Sequence, residues 1–128
     1  MQQLRDYALD KNVQIVTENF RALTSTVSSW SSIVTGKPSS FPTIVDFGNF
    51  SAYEKEDGIR YGAHVAHSIH AKPEYSLDGE INKESFYFLL KILTEMNCSV
   101  PISIIYDRKG NMWEGIERIL NIIKDFDR

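Results

Sequence analysis

The chain has 128 residues, enough for one domain with a buried core. Its hydrophobic share of 42% and charged share of 24% exclude a disordered polymer. Its net charge of −3, with no block of Lys and Arg, excludes the basic face of a nucleic-acid binder.

The first predicted element is a long helix. Leu9, Val13, Val16, Phe20, Leu23, Val27, Trp30 and Val34 recur at spacings of four and three. That is a seven-residue repeat, and on a helix it lays eight apolar side chains along one seam. The helix is expected over about residues 2–35, with Asn12 as a second possible N-cap. Gly36 and Pro38 supply the stop. From Leu9 to Val34 it would run about 39 Å, against a diameter of roughly 35 Å for a compact chain of this size. It is therefore expected to span the domain or protrude from it. Thr24, Ser25, Thr26, Ser28, Ser29, Ser31 and Ser32 crowd its second half. These are poor helix formers, so packing of the seam has to hold it.

A loop over residues 37–42 leads to a strand over 43–50, extending at most to Glu56. Asp57 and Gly58 read as a two-residue hairpin turn. The return strand is expected over 59–70, with Ile59, Tyr61, Ala63, Val65, His67 and Ile69 alternating onto one face. Lys72 and Pro73 end it, and Asp78 with Gly79 mark another turn. The next helix is expected over 83–97, capped by Asn82, stapled by Ile81 and Phe86, and apolar along Phe86, Leu89, Leu90, Leu93 and Met96. Residues 100–106 read as a strand inside the sheet. Asn111 and Glu114 have capping-box spacing before a last helix with Ile116, Ile119, Leu120, Ile123 and Phe126 on one face. The predicted order is α-β-β-α-β-α. It describes an α+β fold: a long N-terminal helix, an antiparallel hairpin with a further strand in a small sheet, and two C-terminal helices. Residues 1–128 read as a single domain.

Few constellations carry chemistry. The three histidines, His64, His67 and His70, lie within seven residues. On a strand, His64 and His70 would share a face about 20 Å apart, with His67 opposite. On a helix, the outer two diverge by about 120° around the axis. No single metal takes all three, so no metal site is expected, and His67 is expected to face the core opposite Gly48. The turn at Asp107, Arg108, Lys109, Gly110 and Asn111 sits between a buried strand and a helix start, a common place for an anion, but it also serves as a plain connection. Acid pairs such as Glu54 with Glu56, and Asp46 with Asp57, are placed like solvated surface carboxylates. The chain has no phosphate loop, nucleophile elbow, C-x-x-C or H-E-x-x-H motif.

Cys98 is the sole cysteine, so no internal disulfide forms. A reducing compartment is its simplest home. With no leader-like segment and no run of about 18 apolar residues, the expected setting is cytoplasmic, away from membranes.

These features point to a non-enzymatic protein-interaction domain, similar in build to inhibitors, immunity proteins or chaperones. It is expected to bind a protein partner, including a second copy as a homodimer, through helix 1 at Val13, Phe20, Leu23, Val27 and Trp30. No cofactor is called for. The alternative is a small hydrolase, or a ligand-binding or sensor domain, that uses a histidine of residues 64–70. His64 or His67 would act with a carboxylate such as Asp107 or Asp46.

Overall fold

A computed structural model describes residues 2–21, 23–34 and 42–126. In chain order the elements are α1 (Gln2–Asp10), β1 (Thr17–Glu18), α2 (Val27–Val34), β2 (Thr43–Asp46), α3 (Lys55–Val65), β3 (Ala66–Ala71), α4 (Lys83–Glu95), β4 (Ile102–Ile104) and α5 (Met112–Phe126). The strands form one sheet in the order β1-β2-β3-β4, and every pairing is parallel. This is an α/β fold, and it corrects the expected α+β fold in two places.

The first correction is the long N-terminal helix. Its eight apolar residues fall on three separate segments. Asn12 ends α1, where the N-cap reading would have begun it. Its φ of 55° is left-handed. The Asn12 N–H donates to the Leu9 carbonyl (3.0 Å) and the Val13 N–H to the Ala8 carbonyl (2.8 Å). That pair of bonds is the Schellman termination, which asparagine can serve. Thr26 then starts α2, because its Oγ1 accepts from the Ser29 N–H at 3.1 Å. The Ser/Thr residues that weakened a continuous helix act as start and turn signals here. The expected stop at Gly36 and Pro38 and most of the 37–42 loop lie outside the described residues.

The second correction is the antiparallel hairpin. Asp57 and Gly58 lie in the first turn of α3, where Glu56 and Asp57 suit the positive end of the helix dipole. Gly58 serves close packing instead of a turn. A Cβ there would sit 2.8 Å from three carbons of the Phe50 ring. Gly62, one turn on, faces the sheet. A Cβ on it would lie 2.7 Å from Val45 Cγ2 and 3.2 Å from the Trp30 ring. The Ile59, Tyr61, Ala63, Val65 alternation is thus helical sequence, with Gly58, Ile59 and Gly62 as its buried face.

Helices α4 and α5 follow the sequence more closely, whereas β4 is an edge strand with Ile102 exposed and not a strand inside the sheet. Asn82 caps α4 by accepting from the Ser85 N–H at 3.1 Å. Asn97 ends it in a second Schellman termination, with φ 51° and a Cys98 N–H to Leu93 carbonyl bond of 2.9 Å.

Helices α2, α3, α4 and α5 pack side by side in that order. Consecutive parallel strands joined by right-handed crossovers put their helices on one face of the sheet. The core lies between the two layers. The strands contribute Val45, Ile69 and Ala71, and the helices Trp30, Ile59, Phe86, Leu89, Leu93 and Ile119. Trp30 meets Phe50 and Tyr61 edge to face at 5.6 and 5.8 Å. Among the described residues, no helix is long and apolar enough to cross a membrane.

Candidate metal centre

Side chains alternate along a strand, so the register identifies the residues on the face away from the core. Val45 and Ile69 are partners on the core face, so Asp46 and its partner His70 point the other way. Glu18 pairs with Ile44 on that same face, and Ser103 pairs with His70. Glu18, Asp46 and His70 therefore stand at the C-terminal ends of three adjacent strands, or near them, on one side of the sheet. In parallel α/β sheets, ligands gather at this end.

These three residues offer one ligand atom each, all within 4.8 Å of one another. His70 Nδ1 lies 3.4 Å from Glu18 Oε1 and 3.7 Å from Asp46 Oδ2. Ligands held about 2.1 Å from a shared cation stand roughly 3.0–3.5 Å apart, so the separations need only a small contraction. One imidazole with two carboxylates suits a divalent ion such as Mn²⁺, Fe²⁺ or Zn²⁺.

The surrounding bonds hold the donors in place. The buried Asn19 bridges β1 to β2, because its Oδ1 accepts the Asp46 N–H (2.7 Å) and its Nδ2 donates to the Asp46 carbonyl (2.9 Å). The Gly48 N–H donates to Asp46 Oδ1 at 2.7 Å, which leaves Oδ2 turned toward His70. Asn49 Nδ2 donates to Glu18 Oε1 at 3.3 Å. Asp46 is 3% exposed. Burial holds its carboxyl above the usual range, opposed by the Gly48 N–H and by the nearby Lys72 ammonium. A buried carboxylate held this way is poised to gain from a cation.

The sequence-predicted site residues are scattered. His64 is exposed on α3, and His67 is exposed at the start of β3, not facing the core. Asp107 lies beyond β4, 2.8 Å from Lys72 Nζ. Of the 64–70 segment only His70 joins the cluster, and of the carboxylates named with it only Asp46 does. Of the expected partner-binding residues, Val13, Phe20 and Leu23 are exposed, Val27 is half-buried and Trp30 is fully buried. Glu18 was missed because the seam had placed it inside a helix. A signal for it exists: Ile15, Val16 and Thr17 run into Glu18, Thr43, Ile44 and Val45 into Asp46, and Ser68 and Ile69 into His70. Each short β-rich run ends in a metal-ligand type, 28 and then 24 residues apart, the length of a strand-helix unit.

No family model matches this chain, and no curated protein does. Among solved structures, the apo form of 3-keto-D-glucoside 4-epimerase, YcjR, from E. coli superposes with a TM-score of 0.64 at 11% identity. The match covers 96% of this chain and 50% of that one. The chain thus shares the fold of half of an enzyme and spans half of its length. This corrects the reading as a non-enzymatic interaction domain of the inhibitor, immunity or chaperone kind. The solved neighbour is an epimerase, and the continuous helix 1 through which the homodimer was to form does not exist.

Proposed function

We propose that this chain carries a divalent-cation site serving isomerase or epimerase chemistry on a polyhydroxylated carbonyl compound. The observation that carries the reading is the convergence of Glu18, Asp46 and His70 from three neighbouring strands, each carboxylate held by a neighbouring amide group. The similarity in fold to a 3-keto-D-glucoside 4-epimerase supports the reaction class. Glu18, Asp46 and His70 would hold the ion, while Asn19, Gly48 and Asn49 fix their directions. The bound ion would polarise a substrate oxygen and so acidify the adjacent C–H. The half-buried free thiol of Cys98 favours a reducing, cytoplasmic setting.

The test is a titration of the metal-free chain with Mn²⁺, followed by calorimetry and thermal unfolding. The expected gain is about 2.7 kcal/mol at a hundredfold excess over Kd. Asp46→Asn and His70→Ala should each abolish it. A gain that survives both substitutions, or none in the wild type, overturns the cation site. With the Mn²⁺-loaded chain in D₂O, deuterium should enter a keto-sugar at the carbon beside its carbonyl. Metal binding without that exchange overturns the proposed reaction class.

A further inference from the structure

A cavity of about 520 Å³ opens at the same end of the sheet. Its wall includes Gly48 and Lys72, two residues beyond Asp46 and His70, with Arg21, Glu74, Asp107 and Arg108 around it. Its charges do not cancel. Glu74 bonds to Lys55 and Ser85, and Asp107 pairs with Lys72. Arg21 and Arg108 have no carboxylate partner among the described residues. Arg108 is held in place by the face of Tyr75, its guanidinium 4.6 Å from the ring centroid. The Lys72 stem lies across Gly48, where a Cβ would come within 2.9 Å of Lys72 Cδ. Two unmatched guanidiniums beside an ion-paired ammonium make a receptor for an oxyanion. The cavity adjoins the cluster, because the N–H of Gly48 in its wall donates to Asp46 Oδ1 at 2.7 Å. A short polyol can therefore meet both the cluster and the cavity.

We propose that the cavity takes the anionic end, a phosphate or a carboxylate, of the molecule whose oxygens meet the cation at Glu18, Asp46 and His70. The inference rests on the cation-site reading for the other end of the molecule. The substrate is then an acidic derivative of a polyol or hydroxyketone, in preference to a neutral sugar.

The experiment measures binding of D-erythrose 4-phosphate, D-erythronate and erythritol to the Mn²⁺-loaded chain by calorimetry. One of the two anions is expected to bind at least about tenfold more tightly than erythritol, and which one identifies the anionic group. Arg21→Gln and Arg108→Gln should each weaken that anion severalfold, leaving erythritol and the Kd for Mn²⁺ unchanged. Equal affinity for all three, or a preference that survives the double substitution, overturns the proposal while the cation site stands. If Mn²⁺ itself does not bind, the cation reading fails. Inorganic phosphate with the metal-free chain then decides the anion cavity. Binding lost in the double variant supports it, and no binding overturns it.

Discussion

Asn19 joins two strands with one side chain. It is fully buried, and both ends of its amide are used on the backbone of Asp46. Aspartate in its place would lose the donor and bury a second charge beside Asp46, so the choice of residue follows from the bonding. Glu74 shows the reverse situation at the surface. Its hydrogen bond to Lys55 holds the carboxyl below its usual range, opposed by partial burial. A carboxyl lowered in the folded state adds stability above its unfolded value near 4.5, and that stability is lost as pH falls through the folded value. Glu74→Gln should therefore lower the urea midpoint at pH 7 and leave it unchanged at pH 2–3. Because Glu74 is well exposed, the difference should stay below about 1 kcal/mol. A deficit of equal size at both pH values would rule out this account.

At the scale of the element, α3 explains most of what the sequence concealed. An Asp-Gly pair between alternating apolar residues reads as a hairpin, because the local pattern fits a turn. The same two residues fit the first turn of a helix when the glycine meets an aromatic ring, and that ring arrives from Phe50, eight residues upstream. Gly62→Val should cost about 1–3 kcal/mol in urea unfolding, because its side chain has to displace Val45 or Trp30. His64→Ala, on the exposed side of the same helix, should change stability by less than about 0.5 kcal/mol. Equal effects from the two would mean that α3 does not lie on the sheet by its glycine face. Helix α4 was legible because its cap, staple and apolar face all lie within its own sequence. Helix α1 and strand β1 were not, because a seven-residue stripe does not reveal that Asn12 turns left-handed inside it. The same misreading hid Glu18 and with it one-third of the candidate site. Asp46 and His70 could be named as residue types, but pairing them needed the parallel register of β2 and β3.

Across the whole molecule, the sheet is asymmetric twice over. Helices α2–α5 share one face while the donor cluster occupies the other, and among the described residues only β2 and β3 have neighbours on both sides. Edge strands expose unpaired backbone groups, and here the edges are two and three residues long. Amide hydrogens should therefore leave on different clocks. Those of β2 and β3 should exchange last, near the global unfolding limit, and those of β1 and β4 much sooner. A cation ties β1 to β2 and β3 through Glu18, Asp46 and His70 but takes nothing from β4. Mn²⁺ should thus slow exchange in β1 and leave β4 as fast as before, so that an even-handed pair of rims becomes one slow rim and one fast one. Equal slowing at both rims would show that the ion tightens the fold as a whole and does not act as a clasp between named strands.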